Sequence, residues 1–136
     1  MTRNIVVMLT LFISIFLFAF VQDKTLAESI KRGEQVYIGN CLNCHMITGG
    51  GLPGVYPPLA KANYVEKATP KKMIEIILKG QSGEITVNGA KYNVLMPAQA
   101  YLTDEQIADV LNYTRNTWGN KIKGIITPAN VKAERK

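Results

Sequence analysis

The sequence predicts an all-α domain of three to five helices with one small β-hairpin near 84–93, preceded by an apolar leader. Three observations carry this. Two segments, at Thr69-Pro70 and at Thr103-Asp104-Glu105-Gln106, open with helix-capping signals and continue with apolar residues at helical spacing. A single Asn-Gly pair, Asn88-Gly89, sits between short alternating runs, the signature of a two-residue hairpin. No series of alternating strands and helices appears, so a parallel sheet has no support. The chain has 136 residues, about one domain's worth.

Arg3 precedes an unbroken apolar run from Ile5 to Val21, 17 residues in which only Thr10 and Ser14 are polar. Thr25-Leu26-Ala27 then places small residues where a signal peptidase reads. Residues 1–27 therefore read as an export signal, with an uncleaved membrane anchor as the competing reading. Cleavage after Ala27 is favoured because only residues 22–27 separate the apolar run from the first helix. That is too few to hold a domain clear of lipid headgroups. Either way the domain lies in the periplasm or on the extracytoplasmic face of the membrane. Residues 28–119 form the domain, and 120–136 a basic C-terminal extension.

The first helix spans Ser29 to Tyr37, with Ser29 as its cap and Val36 and Tyr37 on an apolar face. Gly49-Gly50-Gly51, Pro53, Gly54, Pro57 and Pro58 make a long irregular stretch. Thr69 and Pro70 open a helix whose apolar face is Met73, Ile76 and Ile77 and whose stop is Gly80. Residues 85–92 alternate around Asn88-Gly89. The Thr103 capping box opens the strongest helix, with Ile107, Val110, Leu111 and Tyr113 on its buried face and Trp118-Gly119 at its end. Thr127-Pro128 caps one last short helix.

The formal charge is +6, from 16 lysines and arginines against 10 acids. The basic residues are scattered rather than stacked, and export argues against a nucleic-acid partner.

Both cysteines and the only histidine of the chain fall in Cys41-Leu42-Asn43-Cys44-His45. A structural zinc site needs four such ligands, and only three exist. A disulfide across so short a loop stabilises little. A redox dithiol of the thioredoxin kind needs a strand before the first cysteine, and here a helix precedes it. Covalent haem accounts for all three residues. Two thiols three apart each form a thioether to one vinyl group, and the adjacent histidine lies under the iron. One motif means one haem c.

These residues carry a family resemblance from about Ser29 to Trp118. The segment resembles a class I, mitochondrial-like cytochrome c domain, and the resemblance implies the cytochrome c fold around one covalently bound haem. Gly33 and Tyr37, eight and four residues before Cys41, resemble the family's N-terminal helix, where a glycine admits the C-terminal helix and an aromatic packs beside it. Val110 and Tyr113 resemble the partner positions. Tyr56-Pro57-Pro58-Leu59-Ala60 resembles the segment whose proline carbonyl takes the hydrogen bond of the proximal histidine, which by spacing is Pro57. Val94-Leu95-Met96-Pro97-Ala98 resembles the segment carrying the sixth ligand. The hairpin is absent from the mitochondrial proteins and is similar to that of bacterial domains fused to, or associated with, periplasmic reductases, dehydrogenases and terminal oxidases.

Among the methionines after residue 27, Met46 is tied to the proximal side and Met73 sits on a helical core face. Met96 lies in a loop fixed by Pro97, able to fold across the second haem face. His45 and Met96 are thus the expected iron ligands. Leu59, Tyr64 and Leu95, with Tyr56, Ile77 and Val94, are expected pocket wall or ordinary core. Trp118 is expected to pack rather than relay electrons. Two axial protein ligands leave no place for a small-molecule substrate. The expectation is an electron carrier, not an enzyme, with redox proteins as partners. The alternative is a tightly bound electron-transfer subunit of a respiratory reductase, dehydrogenase or oxidase; a haem sensor or enzyme with a labile methionine stands behind both. Lys61, Lys67, Lys71, Lys72, Lys79 and Lys91 would steer an acidic partner, or else form a solvated basic surface. Residues 5–21, if uncleaved, would add membrane association.

Overall fold

The computed structural model describes residues 25–135; the apolar run at 5–21 lies outside them. Residues 25–40 form helix α1. Ser29 lies inside this helix rather than capping it, because the helix is already under way at residue 25. Its hydroxyl instead donates to Asp109 Oδ1 at 2.6 Å. The other helices are α2 (Leu42–His45), α3 (Asn63–Lys67), α4 (Pro70–Lys79), α5 (Asp104–Asn116) and α6 (Pro128–Glu134). Strands β1 (Ile85–Val87) and β2 (Ala90–Tyr92) pair antiparallel, Ile85 opposite Tyr92 and Val87 opposite Ala90. The described residues thus hold six helical segments. Those beyond the expected longer ones include α2, a single turn, and α3, five residues.

The capping chemistry sets the boundaries. Thr69 accepts from the Lys72 amide at 3.2 Å, Pro70 takes the first turn, and Gly80 ends α4 at φ +78°. Thr103 and Gln106 close a reciprocal capping box on α5, and Thr127 and Asn130 another on α6.

Helices α1 and α5 meet at Gly33. A Cβ there would lie 2.0 Å from the Asp109 carbonyl oxygen, so only glycine lets the two backbones approach. Tyr37, Tyr113 and Trp118 fill the space beside the contact, with ring centroids 4.9 to 5.4 Å apart. The buried Asp109 carboxylate accepts from Ser29 and, at 2.7 and 2.8 Å, from the Arg32 guanidinium. Its charge is therefore compensated.

The C-terminal residues complete the core rather than trailing from it. Ile126 and Val131 are buried, and α6 packs on α4 and α5. Asn112 brackets Ile126, donating to its carbonyl at 2.8 Å and accepting from its amide at 2.9 Å. Arg115 donates to the carbonyls of Lys123 and Gly124. The described part of the segment read as an extension, 120–135, shares one hydrophobic core with the domain. No helix among the described residues is long and apolar enough to cross a membrane.

Candidate functional site

Helix α1 hands the chain directly to the cysteine motif. The Cys41 amide donates to Tyr37 O at 2.8 Å, and Cys44 and His45 amides return to Cys41 O at 3.2 and 2.9 Å. Cys41 and Cys44 thus project from one turn, three residues apart. Met46 leaves the helix at φ +61°, and the Tyr37 hydroxyl donates to its carbonyl at 2.7 Å. Burial pushes the Tyr37 phenol pKa up, so it stays a donor. Both thiols are half-buried. Burial, with Cys44 adding to it, pushes the Cys41 thiol up to about 11. A thiol so far above neutral is a poor redox nucleophile, which counts against the dithiol reading.

His45 is 9% exposed, and its Nδ1 lies 3.0 Å from the Pro57 carbonyl oxygen. Burial lowers its pKa, against the opposing effect of that hydrogen bond, and favours neutral imidazole. With Nδ1–H donating to the carbonyl, Nε2 presents a lone pair. Gly51 makes this approach possible. At φ +63°, a Cβ on it would lie 2.3 Å from Tyr56 O and 2.6 Å from Pro57 O. The Gly51 amide in turn donates to His45 O at 3.0 Å, and the Leu59 and Ala60 amides both donate to Gly49 O.

Met96 arrives from the loop between β2 and α5. Its backbone pairs with Gln81, amide to carbonyl in both directions, at 2.9 and 3.0 Å. Gly80 permits this, since its Cβ would lie 2.5 Å from Met96 O. The Gln99 amide adds a bond to Ile77 O at 2.8 Å. Met73 is buried in the core cluster and also reaches the cavity wall.

Cys41, Cys44, His45, Pro57, Leu59, Tyr64, Leu95 and Met96 all line one cavity. Ile77, Val87, Tyr92, Val110 and Leu111 complete walls that are almost wholly apolar. Leu95 stands at the rim, 66% exposed. Among the described residues no group of three His, Cys, Asp or Glu side chains is placed to hold a bare metal ion. Two thiols at i and i+3, an imidazole with one nitrogen already bonded, a thioether and apolar walls form a donor set suited to haem c.

Residues 30–118 match the cytochrome c family. The chain belongs to the cytochrome c family. This cytochrome is 37% identical to cytochrome c-552 of Thermus thermophilus, over 88% of this chain and 94% of that protein. It is 38% identical to the cytochrome c subunit of the quinone alcohol dehydrogenase of Gluconacetobacter polyoxogenes, over 73% of this chain and 21% of that subunit. It is 33% identical to the cytochrome c subunit of the gluconate 2-dehydrogenase of Pantoea cypripedii, over 86% of this chain and 28% of that subunit. A cytochrome c domain carries covalently bound haem c, and Cys41 and Cys44 have the required spacing. The cytochrome is an electron carrier.

Several residues that build this site carried no legible role in the sequence. Gly51 was one of three glycines in an irregular stretch, Gly80 only a helix stop, and Gln81 had no assigned part. Asn120, almost fully buried, donates to Leu59 O and Thr114 O and accepts from the Lys61 amide at 2.8 Å. It joins the end of α5 to the segment after Pro57. Nothing local in the sequence marks an asparagine for that role.

Proposed function

We propose that this cytochrome passes single electrons between extracytoplasmic redox proteins, with Cys41 and Cys44 as the haem attachments and His45 and Met96 as the iron ligands. One observation carries the reading: His45, oriented by Pro57, and Met96, pinned by Gln81, line the same apolar cavity as both cysteines. Bound haem supplies an iron that changes oxidation state by one electron.

The protein's own residues do the rest. Pro57 fixes the tautomer and the orientation of the His45 ring. The soft Met96 sulfur favours the reduced state and raises the potential. Leu59 and Tyr64 give the cavity apolar wall, and Leu95 adds apolar surface at its rim. With His45 and Met96 both holding the iron, the site would leave no place for a substrate, which supports a carrier rather than an enzyme.

The partner's chemistry follows from the surface. Lys61, Lys67 and Lys72 have no ion-pair partner among the described residues. Lys71 pairs with Glu134, Lys79 with Glu75 and Lys91 with Glu84, at 3.3, 3.6 and 2.9 Å. Lys67 and Lys72 flank a groove beside Tyr64, which also lines the haem cavity. An acidic redox partner suits this face. The apolar run at 5–21 supports a domain outside the cytoplasm, in the periplasm or at the membrane surface if the run is retained.

A second reading rests on the dehydrogenase relatives: a subunit permanently docked in a larger oxidoreductase. The free carrier is preferred because the alignment to cytochrome c-552 spans nearly all of both chains.

The test is a potentiometric titration of the purified native protein with haem staining after denaturing electrophoresis. A single one-electron wave, with haem retained on a polypeptide that elutes alone, supports the free carrier. Co-elution with a larger dehydrogenase or oxidase supports the subunit. Haem lost to acid-acetone extraction contradicts the attachment.

A further inference from the structure

We propose that Arg135 is a positioning residue for Met96, clasping the loop that carries it; the proposal rests on the assignment of Met96 as iron ligand.

The loop from Met96 to Thr103 has little apolar anchorage. Leu95, Pro97, Ala98, Ala100 and Tyr101 are exposed, and only Leu102 is buried. Hydrogen bonds therefore hold it. Gln81 pins the start, and the Gln99 amide reaches Ile77 O. At the far end the exposed Tyr101 hydroxyl lies 2.8 Å from Asn40 Oδ1 and 2.6 Å from Gln99 Oε1, and Arg135 makes the larger set of bonds. Arg135 Nη1 donates to Ala100 O at 2.9 Å, Nη2 donates to Leu102 O, and Nε donates to Asp104 Oδ1 in the first turn of α5. Three donors of one rigid planar fork thus fix a five-residue span.

Arg135 is itself held in place. It follows directly on α6, which is fixed by its Thr127 capping box and the buried Val131, and Glu134 pairs with Lys71 of α4. Helix α4 also leads into Gly80-Gln81, which pins Met96. The loop is thereby tied at both ends to one packed unit of α4, α5 and α6. Opening the loop at its start must break the Gln81 pair and the Gln99–Ile77 bond; opening it at its far end must break the Arg135 fork and the exposed Tyr101–Asn40 bond. If only the fork is removed, Met96 should leave the iron more often, and an external ligand should replace it more readily.

The experiment titrates the ferric holoprotein with imidazole at fixed pH and follows loss of the methionine-to-iron absorption band. Arg135→Ala should bind imidazole about tenfold more tightly than the parent, from the loss of charge-assisted hydrogen bonds. Arg135→Lys, which keeps the charge but not the fork, should fall between. Ser29→Ala, which weakens the α1–α5 contact far from the loop, should lower the denaturant midpoint yet leave imidazole affinity within about twofold. Arg135→Ala and Arg135→Lys both matching the parent would overturn the clasp. An equal effect from Ser29→Ala would do the same, by showing general loosening. Met96→Ala separates the two layers. If it abolishes the band while the Arg135 variants behave as the parent, the clasp alone fails. If it keeps the band, the ligand assignment fails and the clasp with it.

Discussion

The Nδ1 of His45 lies 3.0 Å from the carbonyl oxygen of Pro57, twelve positions along the chain. The contact fixes the ring that faces the haem cavity, and Gly51 makes it possible by leaving room for that carbonyl.

Gly51→Ala tests this directly. The new Cβ would meet two carbonyl oxygens in a backbone conformation that L residues disfavour by about 1–2 kcal/mol. The variant should lose at least about that much stability, read from its denaturant midpoint. The Pro57 segment should also shift, seen as a changed His45 ring resonance in the reduced protein. A variant with parental stability and an unmoved resonance would show that Gly51 has no part in holding Pro57.

Met96 and Met73 make a paired prediction, since both line the cavity. Met96→Ala should open the sixth coordination position, lower the potential and remove the methionine-to-iron band. Met73→Leu, a volume-conserving change in the core, should cost less than about 1.5 kcal/mol and leave band and potential unchanged. The reverse pattern would move the ligand to α4.

The lysines divide by their partners. Lys71 is engaged with Glu134, while Lys67 and Lys72 stand unpaired among the described residues beside Tyr64. Electron transfer to an acidic partner should slow as salt rises, because exposed charges are screened over about 8 Å at physiological ionic strength. Lys67→Glu and Lys72→Glu should lower the association rate several-fold without moving the potential. Lys71→Ala should do less. Rates indifferent to salt and to all three changes would favour a permanently docked subunit.

The boundaries of α4 and α5, the hairpin and the cysteine motif were legible because each rests on local chemistry. Thr69-Pro70, the Thr103–Gln106 box, Asn88-Gly89 and Cys41 to His45 act over a few residues. Ser29 was misread as a cap because its hydroxyl serves a partner eighty positions away, Asp109. The segment after residue 119 looked like an appendage for the same reason. Its burial depends on Asn112 bracketing Ile126 and on Val131 reaching the core, which no local pattern encodes. The loops that carry Pro57 and Met96 were visible in outline, but the glycines that shape them, Gly51 and Gly80, show their purpose only against the carbonyls they avoid.

The central claim is that His45 and Met96 fill both axial positions of the iron, which makes the protein a carrier. Carbon monoxide binding by the reduced native protein tests it most directly. The account predicts no spectral change at neutral pH on equilibration with carbon monoxide, and a change in Met96→Ala. Ready binding by the unmodified protein would contradict it and point to a haem with an open or labile site.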